Sequence, residues 1–271
     1  MSYSGYKNPC RSVSSVLSVF YSRETSYMLR LDSHAQWQLF VFPQWREQFH
    51  SIDEVLTLLS KPERVLQDNA RGMVCLIRKQ DHTFIAKQSK IQENRRWSQF
   101  TSLYRKGEGT RMLRNLAQLF ELGLPVPEPV LVLEKKWLGF VVTSWSVYCY
   151  LVGQPCRCID ASRIADVLKQ IHQQGWVHRD PHVKNFLLHE GEIYIIDCAR
   201  ARSWSSEYAR MYDVVLLNNC CPGSVKDYGI SESYWVYRLA KAHNNLIKLW
   251  RKVKRFVRPK AYQKRDIGSG N

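Results

Sequence analysis

Three oxygen-bearing side chains stand near the middle of the chain at spacings that suit a metal and a phosphate. Asp180 is followed five residues later by Asn185, and a short β-branched stretch then ends at Asp197. The Glu-Gly-Glu stretch at 190–192 is typical of a tight turn, so a β-hairpin would bring the three side chains to one end. Mg²⁺ takes such oxygen ligands together with water and phosphates. The spacing therefore predicts nucleotide binding or phosphoryl transfer.

The motif around Asp180 matches the pattern of a kinase catalytic loop, His-Arg-Asp followed after four residues by Asn. In such loops the carboxylate orients the attacking hydroxyl, and Asn185 and Asp197 hold the metal that bridges the nucleotide phosphates. An Asx-rich turn beside a buried strand is the alternative interpretation. The joint occurrence of the motif, the strand and the second Asp favours the kinase interpretation.

Residues next to this motif narrow the class of substrate. His182 stands two positions after Asp180, where protein kinases usually carry Lys, and this is similar to small-molecule kinases of the aminoglycoside and choline type. Asp197 is followed by Cys198 and Ala199 in place of Phe-Gly, and no Ala-Pro-Glu motif follows. A peptide-docking activation segment is therefore not predicted.

The segment from Arg64 to Lys87 predicts three strands, with turns at 68–72 and 79–82. Lys87 lies at the end of the third strand, where it would contact the α- and β-phosphates of ATP. A solvent-facing lysine on an edge strand is the alternative. A glycine-rich phosphate loop is absent from this segment, which contains only Gly72.

A helix is predicted over Thr110–Leu122 from its apolar spacing, and Gly123 should end it. A carboxylate near this helix should pair with Lys87. Glu108 is the best candidate, with Glu93 and Glu121 as alternatives.

The remaining elements are predicted by the same rules of periodicity and capping. In the first half of the chain we expect a strand at 36–42, a helix capped by Ser51 and Glu54 that runs through about Leu59, and a hairpin whose strands at 130–133 and 138–145 are joined across 134–137. In the second half we expect a helix capped by Asp160 and ended by Gln174-Gly175, a loop over 218–229 and a helix over 233–257. Asp213 is a candidate for anchoring the catalytic loop.

These elements predict an α+β, two-lobed, protein-kinase-like fold, with a small β-rich N-lobe and a mainly helical C-lobe. We place the N-lobe at 61–145 and the C-lobe, with a basic C-terminal helix, at 146–260. Residues 1–60 form an N-terminal extension and 261–271 a flexible tail. A length of 271 residues suits one such two-lobed domain.

The formal net charge of +16 is concentrated near the C-terminus. Lys241–Arg265 contains ten Lys or Arg and neither Asp nor Glu, which leaves only about +6 for the other residues. An anionic surface is the partner that such a localised charge predicts. We expect the apolar positions of this helix to pack on the C-lobe and its basic side to face solvent or an anionic membrane. Those positions are Leu246, Trp250, Val253 and Val257.

The eight cysteines include no C-x-x-C pair, and their spacing suits neither a zinc site nor a disulfide framework. Buried free thiols and a reducing compartment are therefore expected. Residues 12–21 are too rich in serine for a signal-peptide core. The uncharged stretch 137–156 contains too many polar residues, Gly and Pro for a transmembrane helix.

From about Lys87 to Lys260 the chain resembles the lipopolysaccharide core heptose(II) kinase family, within a wider kinase-like group that includes Kdo kinases. The matching stretches are Ile85-Ala86-Lys87, Lys106-Gly107-Glu108, Asp180-Pro181-His182, Lys184-Asn185-Phe186, Gly191-Glu192, Ile195-Ile196-Asp197, Tyr228-Gly229-Ile230 and Tyr237-Arg238.

The resemblance implies ATP-dependent phosphorylation of an inner-core sugar at the cytoplasmic face of the inner membrane. ATP and Mg²⁺ would be the cofactors and a lipopolysaccharide core intermediate the acceptor. Asp180 would be catalytic, Lys87, Glu108 and His182 would bind ATP, and Asn185 and Asp197 would bind the metal. The chain departs from the pattern at His178-Arg179 and at Val183, which leaves open which sugar is phosphorylated.

Three other classes of function compete with this one. The chain could be another small-molecule kinase, a Kdo kinase or an aminoglycoside phosphotransferase, although its basic charge disfavours a cationic substrate. It could be a catalytically inactive pseudokinase, but a scaffold need not keep Lys87, Asp180, Asn185 and Asp197 together. A nucleic-acid binder would use the basic tail, but no nucleic-acid-binding fold accompanies it, so no nucleic-acid partner is expected.

Overall fold

The computed structural model describes residues 29–32, 36–70, 72–89, 107–138, 140–204 and 206–257. The chain divides into two compact units. The first contains the residues up to Ala117 together with Pro127–Tyr150, and the second contains Gln118–Val126 together with the residues from Leu151 onward.

A seven-stranded sheet forms the centre of the first unit, and all of its strand pairs are antiparallel. Its strands are β1 (Leu29–Asp32), β2 (Trp37–Val41), β3 (Arg64–Asn69), β4 (Gly72–Lys79), β5 (His82–Ser89), β6 (Pro129–Trp137) and β7 (Phe140–Cys149). Their order across the sheet is β1-β2-β6-β7-β5-β4-β3. The three strands predicted between Arg64 and Lys87 are confirmed as β3, β4 and β5.

The predicted hairpin over 130–145 exists, but its turn was placed too early. Residues 134–137 belong to β6, and the turn includes Leu138, whose φ of 48° is left-handed. The polar run Glu134-Lys135-Lys136 suggested a turn. It forms a strand because Glu134 is buried and hydrogen-bonded in the interior of the unit.

Helix α1 (Ile52–Ser60) begins as its sequence predicts. The Ser51 hydroxyl accepts the backbone N–H of Glu54 at 3.3 Å, and the Glu54 carboxylate accepts the N–H of His50 at 3.2 Å. The apolar face of α1 is buried, and strand β2 pairs with β6. Residues 37–60 are therefore built into the first unit.

Helix α2 (Glu108–Glu121) follows the predicted apolar spacing, and Met112, Leu113 and Leu116 are almost fully buried. Gly123 ends it with a φ of 71°, a conformation that glycine adopts without steric cost.

The second unit combines four helices with a small sheet. The helices are α3 (Ala161–Gln173), α4 (Glu207–Cys220), α5 (Ser224–Asp227) and α6 (Trp235–Val257), and the strands are β8 (Gln154–Pro155), β9 (Phe186–His189) and β10 (Glu192–Ile195), in the order β10-β9-β8. Side chains from α4, α5 and α6 form a core cluster. Its buried members are Met211, Val214, Val215, Val225, Val236, Tyr237 and Ala240.

Helix α3 confirms the predicted apolar face, since Ile164, Val167, Leu168 and Ile171 are all buried. The capping role predicted for Asp160 is wrong in detail. Its carboxylate accepts the N–H of Arg157 at 2.9 Å and makes no capping bond to α3. The loop predicted over 218–229 is also wrong, because α4 extends to Cys220 and α5 occupies Ser224–Asp227.

Cys158 and Cys221 form a disulfide across 63 residues, so the expectation of free thiols was wrong for this pair. The spacing of cysteines along the chain could not predict this disulfide, because it depends on how α3 packs against α4. Cys75, Cys149, Cys156 and Cys198 are buried and lie outside this disulfide, as predicted.

The basic helix α6 is confirmed, but its apolar positions do not pack as expected. Leu246, Trp250 and Val253 are exposed, at 64%, 67% and 45% of their surface. The prediction that this face packs on the C-lobe was therefore wrong for these three residues. The side chain of Val257 is not among those that the structure describes. Within the described residues, no helix combines the length and apolar character needed to cross a membrane.

The fold is α+β, as predicted. The first unit has three strands, a helix and a two-stranded hairpin in the predicted order. The second has a helix, the His-Arg-Asp loop and a hairpin in the predicted order.

Candidate active site

The loop that carries Asp180 is held by a carboxylate from α4. Asp213 is fully buried, and its two oxygens accept the backbone N–H groups of His178 at 2.6 Å and Arg179 at 2.7 Å. Hydrogen bonds to a charged acceptor are shorter and stronger than neutral ones. The prediction that Asp213 anchors this loop is confirmed.

A buried histidine supports this carboxylate from α3. His172 Nε2 lies 3.2 Å from Asp213 Oδ2, and its Nδ1 lies 2.7 Å from the Tyr228 hydroxyl. With the ring proton on Nε2, His172 donates to Asp213 and accepts from Tyr228. The Asp213 carboxylate thus has three donors and no solvent contact, which is how a buried charge is best satisfied.

Asp180 follows directly on this anchor. Arg179 has a φ of 65°, a left-handed conformation that reverses the chain direction. The N–H of Asp180 donates to His178 Nδ1 at 3.3 Å. Burial lowers the pKa of the His178 imidazole, and the attraction of the Asp213, Asp197 and Asp180 carboxylates only partly opposes this. His178 is therefore a neutral acceptor inside the loop.

The carboxylate of Asp180 itself is accessible. Its side chain is 46% exposed, and Oδ2 lies 3.4 Å from Nη1 of Arg200, whose side chain is 67% exposed. Asp180 can therefore meet a substrate hydroxyl, with a guanidinium beside it to align the carboxylate.

The hairpin of β9 and β10 brings the predicted metal ligands together. Phe186 is paired with Ile195, and the N–H of Ile196 donates to the carbonyl of Asn185 at 2.9 Å. Asn185 Nδ2 donates to the carbonyl of Asp180 at 2.8 Å. Because Asp197 follows Ile196 directly, the three predicted residues are neighbours at one end of the hairpin. Glu190 and Gly191 form the tight turn, with φ values of 48° and 82°.

Asn185 and Asp197 have the chemistry of Mg²⁺ ligands. The amide nitrogen of Asn185 is occupied by the loop carbonyl, which leaves its oxygen as the donor atom that could meet a cation. Asp197 Oδ1 accepts the N–H of Ala199 at 3.2 Å, which fixes the carboxylate on its own turn. Among the described residues no group of three or more His, Cys, Asp or Glu could hold a metal. A few protein oxygens are what Mg²⁺ needs when phosphates and water complete its shell.

His182 is exposed and stands before the short 3-10 helix Val183–Asn185. Its Nδ1 accepts the N–H of Lys184 at 3.3 Å, which orients the ring on its own loop. Its role in ATP binding stays a prediction.

In the first unit, Lys87 lies on β5, opposite Val74 of β4 and Ser146 of β7. Glu108 is the first residue of α2, and its Oε2 accepts the hydroxyl of Ser89 at 2.7 Å. Ser89 is two residues beyond Lys87, on the same face of the strand. The Glu108 carboxylate therefore lies against the face of β5 that carries Lys87.

The two alternatives to Glu108 have less support. Glu121 lies at the opposite end of α2, about 20 Å away at 1.5 Å per residue. Glu93 lies outside the described residues. The pairing of Glu108 with Lys87 stays a prediction, and the start of α2 is the place for it.

Glu134 is a positioning residue that the sequence did not reveal. Its Oε1 accepts the hydroxyls of Thr110 at 2.6 Å and Ser144 at 3.2 Å, and Ser144 Oγ accepts the N–H of Gly109 at 3.2 Å. A Cβ on Gly107 would lie 2.1 Å from Glu134 Oε1. The Gly-Glu-Gly stretch at 107–109 was the signal that could have been read, since glycine marks a close approach to a neighbour.

Comparisons with known proteins show which family the chain is similar to. Residues 31–254 match the model of a family described as lipopolysaccharide core biosynthesis protein (WaaY). The lipopolysaccharide core heptose(II) kinase WaaY of Escherichia coli (strain K12) is 30% identical over 130 residues. That alignment covers 45% of this chain and 54% of the relative, so the chain spans about half the length of the curated relative that it matches.

Two solved structures are also similar. WaaP in complex with acyl carrier protein is 15% identical, with a TM-score of 0.46, and the match covers 84% of this chain and 97% of that one. The PknI kinase domain of Mycobacterium tuberculosis is 16% identical, with a TM-score of 0.40, over 64% of this chain and 76% of that one.

Proposed function

The chain belongs to the WaaY family of lipopolysaccharide core biosynthesis proteins, and from this premise we propose that it transfers a phosphoryl group from ATP to a heptose hydroxyl of the inner core. The observation that carries the proposal is the loop held by Asp213. It presents an accessible Asp180 next to Asn185, which in turn adjoins Asp197.

Each residue of this loop has a chemical role in the proposal. The Asp180 carboxylate accepts the proton of the attacking hydroxyl and orients its oxygen. Asn185 and Asp197 would hold Mg²⁺, which when bound would offset the charge of the nucleotide phosphates. The Arg200 guanidinium, 3.4 Å from Asp180 Oδ2, helps to orient the Asp180 carboxylate.

We also propose ATP-binding roles for residues of the first unit. Lys87 binds the α- and β-phosphates, and Glu108 positions its ammonium group from the start of α2. Glu134 supports Glu108 by fixing the residues that follow it. His182, in the second unit, is proposed as a further ATP contact.

We also propose that the chain works at the cytoplasmic face of the inner membrane, where a lipopolysaccharide core intermediate would be its acceptor. Lys241–Arg265 is the segment that would contact the anionic surface. Basic residues near such a surface contribute about 1 kcal/mol each, and salt screens the attraction.

The decisive experiment is phosphotransfer by the purified full chain. Lipopolysaccharide core that lacks phosphate is incubated with ATP and Mg²⁺, and the product is identified by mass spectrometry. Asp180→Asn should lower the rate by about 10²–10⁴-fold, because general-base assistance is lost. Asp166→Asn is the matched control, since Asp166 is a surface carboxylate paired with Lys169.

Three outcomes would overturn the proposal: no phosphate on heptose, phosphate on Kdo in its place, or near-normal turnover by Asp180→Asn. Equal thermal unfolding temperatures for the variant, its control and the wild type exclude a folding defect.

Binding of Mg·ATP tests the metal ligands separately. Asp197→Ala should weaken Mg·ATP binding in calorimetry and leave metal-free ATP binding nearly unchanged, because only a metal ligand is removed. An unchanged Mg·ATP affinity would place the metal elsewhere.

A further inference from the structure

Helix α6 has two apolar faces, and only one of them is packed. Val236, Tyr237 and Ala240 are buried in the core cluster against α4. On the other side, six large apolar side chains are 45–68% exposed. These residues, the outer stripe, are Trp235, Leu239, Leu246, Leu249, Trp250 and Val253.

The outer stripe is continuous. At 3.6 residues per turn its six members fall within about 100° of the helix circumference and extend about 27 Å along the axis. Single exposed apolar residues are ordinary on a protein surface, but a connected patch of this kind marks an interaction site.

Basic side chains border the outer stripe on both sides. At 100° per residue, Arg238 and Lys252 lie beyond one edge of the stripe and Lys254 lies beyond the other, whereas Lys241, Lys248 and Arg251 lie on the opposite side of the helix. The described part of α6 exposes Arg238, Lys241, Lys248, Arg251, Lys252 and Lys254, and no Asp or Glu occurs between Ser233 and Val257. Lys241 contacts Glu232 at 3.4 Å, and Lys248 donates to Asn219 at 2.7 Å. The partner of the stripe must therefore be apolar in the middle and anionic at the edges.

We propose that the outer stripe inserts into the interface of an anionic lipid bilayer, with α6 lying parallel to the surface. A helix with Trp and Leu on one side and Lys and Arg beside them has the composition of interfacial helices. Trp235 and Trp250 stand toward opposite ends of the stripe, and indole rings favour the boundary between headgroups and acyl chains.

The charge pattern disfavours a second copy of this chain as the partner. Two such helices face to face would bring two sets of Lys and Arg together, with no carboxylate in this stretch of either helix. Anionic headgroups surround the stripe with opposite charge instead.

This inference rests on the membrane location in the proposed function and adds insertion to it. Attraction through charge alone is screened at high salt, when the Debye length falls to about 3–4 Å. Insertion of apolar side chains is not screened in this way. Binding should therefore have a salt-resistant part that depends on the stripe.

Vesicles of phosphatidylcholine and phosphatidylglycerol test this with the full chain in a sedimentation assay. The stripe variant carries Leu239→Gln, Leu246→Gln and Leu249→Gln, and its matched control carries Arg238→Gln, Lys252→Gln and Lys254→Gln, the basic residues that border the stripe on the same helix. All six side chains are exposed, so both variants should fold. The stripe variant should lose at least about tenfold in partitioning at every salt concentration. The control should lose binding at low salt and keep the salt-resistant part.

Tryptophan fluorescence reports insertion directly. Trp235→Leu with Trp250→Leu keeps the stripe apolar, so this variant should still bind vesicles. Brominated lipids should quench the wild type, and the quenched fraction should fall in this variant. Equal quenching in both proteins, full vesicle binding by the stripe variant, or wild-type binding that vanishes at high salt would each overturn the proposal.

Light scattering without lipid tests whether the stripe instead binds a second copy of this chain. A wild-type dimer that the stripe variant converts to a monomer, together with unchanged vesicle binding, would assign the stripe to a second copy and overturn membrane insertion. Phosphotransfer to a soluble core sugar is measured in the same proteins. Its absence in the wild type would reject the proposed activity and leave the vesicle result standing.

Discussion

Each unit contains a buried carboxylate that holds a segment bearing predicted site residues, and the two carboxylates work differently. Asp213 accepts backbone N–H groups of the loop, so it fixes the main chain directly. Glu134 accepts hydroxyl groups, so it fixes the start of α2 through particular side chains. The first anchor depends on the path of the backbone, and the second on the identity of the residues around it.

This difference has consequences for tolerance to mutation. The residues at 178 and 179 can change without removing the N–H groups that Asp213 binds. The segment at 107–110 has no such freedom, because Gly107 has no room for a Cβ beside Glu134 and Thr110 supplies a hydroxyl. Substitutions of the residues around Glu134 should therefore disturb its anchor, whereas most substitutions at 178 and 179 should leave the Asp213 anchor in place.

The largest effect is expected for Asp213→Asn. An amide offers only one acceptor oxygen, so a buried N–H group at His178 or Arg179 would face an NH₂ group. We expect a loss of about 3–5 kcal/mol in the free energy of unfolding and a fall of about 10²-fold in kcat as Asp180 loses its position. Urea unfolding and phosphotransfer measure the two effects.

Asp227→Asn is the control for this change, since Asp227 is an exposed carboxylate in the same unit. If Asp213→Asn unfolds at the same urea concentration as this control, Asp213 is not an anchor.

The next effect concerns the helix that carries Asp213. The Cys158–Cys221 disulfide ties the C-cap of α4 to the residues before α3. Cys158→Ser should lower the free energy of unfolding by about 2–4 kcal/mol, because the open chain gains entropy when unfolded. Cys220→Ser changes a neighbouring free thiol and should have little effect. A peptide map of the non-reduced protein that lacks the 158–221 link would contradict the prediction.

Glu134→Leu should have a smaller effect, about 1–3 kcal/mol, since it leaves two buried hydroxyls without their acceptor. The start of α2 would shift together with Glu108, so KM for ATP should rise more than kcat falls. Glu134→Gln keeps one carbonyl oxygen and should restore most of the stability. Equal stability of Glu134→Leu and the wild type would show that the hydroxyls find other partners.

The two anchors were not equally predictable from the sequence. Asp213 was named from the sequence as a candidate for anchoring the loop. Glu134 was placed in a turn, because Glu-Lys-Lys between apolar runs has the composition of one. A buried carboxylate in a strand depends on partners 10 and 24 residues away, and local pattern contains no information about them.

Elements whose signals are local were predicted well. The hairpin of β9 and β10 has its own turn residues, and α3 has apolar residues at helical spacing and a terminal glycine. Features that depend on long-range packing were missed, namely the disulfide, helix α5 and the exposure of the outer stripe. In α6 the sequence showed one apolar face, whereas the helix has a packed face and an exposed one.

The smallest effect should come from pH, and it sharpens the comparison because the loop held by Asp213 contains a buried imidazole whose pKa is lowered by burial, whereas the partners of Glu134 are hydroxyl groups. Burial lowers the pKa of His178 from its ordinary value of 6.5. Below pH 6.5 the unfolded chain therefore binds a proton that the folded chain does not. The stability contribution of the neutral imidazole is fully present above that pH and is lost as pH falls through the lowered folded pKa. For one proton the slope is at most about 1.4 kcal/mol per pH unit.

His178→Gln removes the titrating group and keeps an acceptor for the N–H of Asp180. Urea unfolding at a series of pH values from neutral to mildly acidic should show a steeper loss in the wild type than in the variant, and parallel losses would exclude His178 as the source.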